Sequence, residues 1–219
     1  MRLPTLTILS VLPLAAAITL PPDGPPKQTG PQTYHFTLEY TFADTKGEIN
    51  RRERASAFRP ELFKTFPPMA MQERNLVWDS IMFETFARTP FSKLTLNESQ
   101  SIVAAQDVSF AGAGNFHNRN VQLTWSGVSE RDGQECVLID YRAYFNPFQI
   151  AAPGFNMVGR SNYWGQLWVS TATRQLQYAT LYEDVLAEMT PPGQTSPRVI
   201  NVFRSGTFQL AAQVPQKAK

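Results

Sequence analysis

Cysteine is almost absent from this chain. Cys136 stands alone among 219 residues, so no disulfide can close within one molecule and packing must hold the fold. It sits in the apolar run Glu135-Cys136-Val137-Leu138-Ile139, which reads as a buried thiol and not as a nucleophile. Histidine is nearly as scarce. His35 and His117 have no second histidine at ligand spacing, so neither a metal nor any other cofactor is called for. No serine lies in a Gly-x-Ser-x-Gly elbow or has lysine three residues on. A hydrolase would have to build its base from His35 or His117, which is the weakest of three readings, and no catalytic residue is assigned. Ala111-Gly112-Ala113-Gly114-Asn115 lacks the third glycine and the Lys-Ser/Thr ending of a phosphate loop.

An excess of one charge is also missing. Lys and Arg total 20 against 18 Asp and Glu, without the concentrated positive charge of a nucleic-acid binder. Arg51, Arg52 and Arg54 are interrupted by Glu53 and read as solvated strand faces. Glu130, Asp132 and Glu135 lack calcium-loop spacing and read as solvated turn residues. Glu183 and Asp184 are adjacent, so on a strand they face opposite sides and cannot share a substrate. With 42% hydrophobic and 17% charged residues, the chain has the apolar mass for a core.

Aromatics are abundant, with 15 Phe, 7 Tyr and 4 Trp, and large rings favour pleated sheets. Met1-Arg2 opens a stretch from Leu3 to Leu20 that is apolar apart from Thr5, Thr7, Ser10, Thr19 and two prolines. Ala15-Ala16-Ala17 supplies small residues for cleavage, so residues 1–17 are expected to be a signal peptide. Pro4, Pro13 and a length of only ~18 residues argue against a spanning helix. Residues 18–32 form a proline-rich leader expected outside the folded domain. Residues 33–211 form a single antiparallel β domain, and 212–219 a polar tail. The predicted localisation is periplasmic or secreted.

Tyr34, Phe36, Leu38, Tyr40 and Phe42 alternate with polar residues, which predicts a strand. Asp44-Thr45-Lys46-Gly47 is turn chemistry, and Glu48 to Phe58 returns. Pro60 to Ala70 reads as a helical turn and loop. Asn75 to Phe86 fits helix and strand comparably. Asn97 or Thr95 would cap a helix reaching Ala105, and Val108 to Phe110 reads as a short strand. Asp132-Gly133 joins a hairpin of Val121–Val128 and Glu135–Phe145. Asn146 to Asn162 reads as a loop folded over something. Tyr163–Ser170 and Gln175–Ala187 form a third hairpin, with Leu167 and Val169 on one face and Trp164, Gln166 and Trp168 on the other. Val199 to Leu210 is the last strand. The fold class is therefore α+β, mostly β: a curved antiparallel sheet, half-barrel-like, with one or two helices.

Tyr163-Trp164-Gly165-Gln166-Leu167-Trp168-Val169, followed by Gln175-Leu176-Gln177-Tyr178-Ala179, resembles the strand pair of periplasmic lipoprotein carriers and related lipid-binding half-barrels. The likeness covers about thirty residues. Ser170-Thr171-Ala172-Thr173-Arg174 stands where those carriers have an Asp and a Gly. The resemblance implies a cavity for an acyl chain, and the supply of large side chains at Phe58–Phe91 and Phe148–Val158 suits one. The reading is an exported non-enzymatic binding protein for a lipid, an acylated protein or another apolar ligand. Its expected lining is Trp78, Met82, Phe83, Phe155, Trp164 and Trp168. The alternative is an envelope structural or interaction module with a solid core and no ligand. Nucleic acid is not an expected partner.

Overall fold

The computed structural model describes residues 20, 22–23, 33–44, 49–58, 71–102, 107–109, 114–152 and 155–211. Side chains are described there except at 44, 49–58, 71–75, 77, 107–109, 152 and 155. The elements in chain order are β1 (Tyr34–Asp44), β2 (Ile49–Phe58), α1 (Met71–Ala87), β3 (Ser99–Ile102), β4 (Asp107–Ser109), β5 (Gly114–His117), β6 (Val121–Arg131), β7 (Gln134–Ala152), β8 (Phe155–Ser170), β9 (Leu176–Thr190) and β10 (Arg198–Leu210), with a short 3-10 turn at Phe91–Lys93. The strands form one open sheet in the order β2-β1-β10-β9-β8-β7. The long β7 then pairs β6 along its first half and β5 along its second, with β3 beyond β6 and β4 beyond β5. Every strand pair is antiparallel. The fold is thus the expected mostly β, α+β class, a curved open sheet.

Alternation decides which face is buried. Tyr34, Phe36, Leu38 and Tyr40 of β1 point inward with Val137, Ile139, Tyr141 and Ala143 of β7, Tyr163, Leu167 and Val169 of β8, Leu181 of β9 and Phe208 of β10. α1 covers this concave face. The segment that was ambiguous between helix and strand is helical because its apolar residues wrap around the axis: Leu76, Trp78, Met82, Phe83, Phe86 and Ala87 are all buried, while Ile81 and Thr85 face outward.

Four expectations are corrected. The helix predicted over Thr95–Ala105 is a strand where it is described: Ser99 to Ile102 pair with Thr124 to Val121 of β6. Asn97 is no cap. It takes a left-handed φ of 62°, which asparagine tolerates, donates its N–H to the Trp125 carbonyl, and turns the chain into β3. The loop predicted over Asn146–Asn162 is largely strand, interrupted only at residues 153–154, which lie outside the described residues. β7 and β8 run on together past Ala143, with one bulge between Ala143 and Asn146. Inward residues are odd-numbered before the bulge and even-numbered after it, Asn146, Phe148 and Ile150 being buried; that parity change hid the strand. The leader does touch the domain. Leu20 packs against the core, and Asp23 accepts the Phe91 N–H at 2.6 Å and hydrogen-bonds Ser92. One α-helix lies among the described residues, within the expected one or two. The readings for residues 1–17, 45–47, 60–70, 103–106, 110–113 and 212–219 lie outside the described residues.

Asp132 and Gly133 have φ of 50° and 72°, the paired left-handed geometry of a tight two-residue hairpin, so this dipeptide fixes the β6–β7 register as the sequence implied.

Candidate functional site

The sheet offers two places for chemistry, one inside and one outside. Inside, Arg204 of β10 lies beside Glu183 of β9 and Tyr40 of β1 in the strand register. Its Nη1 and Nη2 donate to the two oxygens of Asp79 on α1, each at 3.0 Å, and its Nε donates to Glu183. Ser161 of β8 donates to the other Glu183 oxygen at 2.5 Å. The Tyr40 ring lies 5.9 Å from the guanidinium carbon. A guanidinium fork suits two carboxylates at once because its N–H groups are planar and splayed.

Burial governs the protonation of this cluster. It pushes the Asp79 carboxyl up to about 6; Arg204 opposes that shift and Glu183 adds to it. Burial alone would lower Arg204, but Asp79 and Glu183 together hold it well above its ordinary value. Burial likewise raises the phenols of Tyr40, Tyr141 and Tyr163. Two carboxylates share one guanidinium, so the cluster carries a net negative charge when both are ionised. Asp79, Ser161, Glu183 and Arg204 are each 4% exposed or less, so no substrate atom reaches Ser161 Oγ in this arrangement. The cluster fastens the helix to three strands.

Of these residues the sequence singled out only Glu183, as facing away from Asp184, yet a signal for the cluster was present. Glu183 alternates with Leu181 and Val185, and Arg204 with Val202 and Phe208. A charged residue on an apolar strand face is costly unless it has a buried partner. Asp184 does face the other way, accepting the Asn201 amide at 2.6 Å, so the expected separation from Glu183 is real.

The six expected lining residues divide between the two faces. Trp78, Met82 and Phe83 lie between α1 and the sheet. Trp78 meets Phe116 at 4.7 Å and Tyr163 at 5.9 Å, while Phe83 meets Phe208 at 4.8 Å and Tyr141 at 5.6 Å. Ring centroids at these separations are in direct packing contact. Trp164 and Trp168 lie on the opposite face and do not join them. Trp164 sits beside Tyr182 at 6.0 Å, and Trp168 meets Tyr178 at 5.0 Å, with Arg131 3.4 Å above the Tyr178 ring. Phe155 opens β8, and its side chain lies outside the described set.

The outer face carries further apolar surface. Tyr182 and Leu186 of β9, Val158 of β8 and Tyr144 and Phe145 of β7 are all exposed. His35 lies on β1 and His117 on β5, five strands apart in the sheet order. Among the described residues no group of three His, Cys, Asp or Glu side chains is placed to hold a metal ion. The Cys136 thiol is buried and pushed up to about 11 by that burial. No helix among the described residues is long and apolar enough to cross a membrane.

No family model matches this chain, and neither a curated protein nor a solved structure does so.

Proposed function

We propose that this chain is an exported, non-enzymatic interaction protein of the cell envelope, with a filled interior and its binding surface on the outside of the sheet. The supporting observation is the contrast between faces. The inner rings Trp78, Phe83 and Phe86 interlock with Tyr141, Tyr163 and Phe208, whereas the outer rings Tyr144, Phe145 and Tyr182 remain exposed. Burying a ring gains roughly 1.5–3 kcal/mol, so large apolar side chains left together in water mark a contact surface.

An apolar cargo held inside would require α1 to lift from the sheet, which separates Asp79 from Arg204. Native mass spectrometry of the chain recovered after export distinguishes the two readings. A mass equal to that of the polypeptide, with no binding of a hydrophobic dye, is expected for the filled module. A co-purifying lipid that vanishes when a disulfide engineered between α1 and the sheet is closed would select the carrier instead.

A further inference from the structure

We infer that the outer face of β7–β10 is self-complementary and that its occupant is a second copy of this chain, docked face to face across a two-fold axis. This rests on the outer-face reading above and names the partner of that face.

The outward residues of β8 mark successive levels on that face: Val158, Arg160, Asn162, Trp164, Gln166 and Trp168, every second residue of one strand. Across β7–β10 the register sets one charge at each level from Val158 to Gln166. Glu188 stands beside Val158 and Asp184 beside Asn162. Arg142 stands beside Trp164 and Asp140 beside Gln166. Arg160 supplies the charge of its own level. The signs along the strand therefore run minus, plus, minus, plus, minus. At the Trp168 level Arg131 lies 5.7 Å from the ring and is shared with Asp132 at 4.0 Å. Glu188, Arg160, Asp184, Arg142 and Asp140 form no ion pair among the described residues. Gln122, Gln166 and Asn201 hydrogen-bond Arg142, Asp140 and Asp184, and these neutral amides leave the charges in place. Exposed Val158, Tyr182, Leu186 and Phe145 lie among them.

Alternation selects the occupant. A partner of one sign would meet its own sign at every second level, whereas this face turned over onto itself meets the opposite sign. The axis runs across the strands between the Asn162 and Trp164 levels. It lays the minus level of Asn162 over the plus level of Trp164, and the plus level of Arg160 over the minus level of Gln166. An axis through a level would set like charges together. With strands about 4.8 Å apart, Arg160 comes within one strand of Asp140 of the second copy, and Asp184 within two of Arg142. Val158 falls over Trp168. Phe145, level with the Asn162 whose Oδ1 accepts its N–H at 2.8 Å, falls over Arg142, a ring against a guanidinium. Each contact occurs twice, as a two-fold requires. Glu39 of β1, level with Trp164, falls over uncharged Thr41. Levels about 6.8 Å apart across four strands span roughly 650 Å², near the ~800 Å² per partner of a standard interface. Twisted sheets stack face to face in this way.

The test is sedimentation equilibrium of the exported chain. Twice the polypeptide mass is expected at about 100 μM, with dissociation on dilution. Arg160→Glu sets carboxylates against Asp140 at both symmetric contacts and should raise the dissociation constant on the order of tenfold or more. Adding Asp140→Arg to the same chain reverses both members of the pair and should bring association back to within about threefold of the parent. Melting temperatures of both variants should stay near the parent's, since neither side chain is buried. A monomer at that concentration, a dimer indifferent to Arg160→Glu, or a double variant no tighter than the single overturns the assignment. The two readings fail separately. A monomer whose native mass carries no lipid overturns the second-copy assignment alone, whereas a lipid-bearing mass overturns the filled module and this assignment with it.

Discussion

The Tyr141 hydroxyl on β7 reaches across β8 and donates to the Thr180 carbonyl on β9 at 2.7 Å. It passes over Gly165, its own register partner on β8. A Cβ there would lie 2.1 Å from the Thr180 oxygen and 2.7 Å from the Tyr141 hydroxyl. Thr180 repays the ladder through its side chain, whose Oγ1 accepts the Gln166 N–H at 3.0 Å. The glycine in the aromatic-Gly-x-Leu-Trp segment therefore serves a strand crossing at the centre of the sheet.

Gly165→Ala should destabilise the chain by about 2–4 kcal/mol, through overpacking and the loss of a buried hydrogen bond. Tyr141→Phe, which removes only the hydroxyl, should cost about 1–2 kcal/mol. Urea denaturation of both single variants and the double variant checks the geometry. The two effects should fall short of additivity, because each disrupts the same contact.

Arg204→Met should be the most damaging single change. It leaves Asp79 and Glu183 buried without a cation, which costs about 3–5 kcal/mol. Replacing Arg204, Asp79 and Glu183 together by apolar residues of similar size should recover most of that loss. Chemical denaturation of the single and triple variants measures the difference.

Asp79 gives the fold a specific pH response. Its folded-state pKa, about 6, lies above the ordinary 3.8, so the folded chain binds the proton more tightly than the unfolded one. This contribution is complete below about pH 4 and is lost as pH rises through 6; it amounts to no more than about 3 kcal/mol. Glu183 keeps Arg204 paired when Asp79 is neutral. Melting curves between pH 7.5 and pH 5 (roughly the upper part of this window) should therefore move upward on acidification. Asp79→Asn should flatten that trend, and an unchanged slope in the variant would assign it to other groups.

Asp23 should tie the leader to the 3-10 turn. Its bonds to Ser92 lower its carboxyl, with Phe91 and Arg174 adding to the effect, and the Arg174 guanidinium carbon lies 3.3 Å above the Phe91 ring. Asp23→Ala is expected to speed amide exchange at Phe91 and Ser92 and to expose the leader to protease. Core stability should fall only slightly, since Asp23 itself is exposed and its ion pair with Arg174 is long at 3.9 Å.

The sequence carried much of this fold in local chemistry. Period-two alternation marked β1, the first part of β7, the second half of β8 and β9, and Asp132-Gly133 marked the β6–β7 hairpin, because side-chain direction along a strand and the φ demands of a turn are properties of neighbouring residues. The bulge at Ala143–Asn146 escaped notice because a single inserted residue reverses the parity on which such a pattern is recognised. β3 escaped because its serines pair with β6 across some twenty-five residues of chain (Ser99 Oγ and Thr124 Oγ1 lie 2.7 Å apart), and the sequence between them carries no trace of that distance.

What the amino acids determined alone was the sheet-forming character, the two faces of the strands without a bulge and the absence of a disulfide within one molecule. The tertiary structure decided which apolar residues met one another. Trp78 and Phe83 became core because a helix laid them on the concave face, while Trp164 and Trp168 lay on the other side of β8. It also gathered Asp79, Glu183 and Arg204 from positions up to 125 residues apart. Burial makes an isolated charge costly and an opposite charge its natural partner, but only the curved sheet and its docked helix specify where that partner stands.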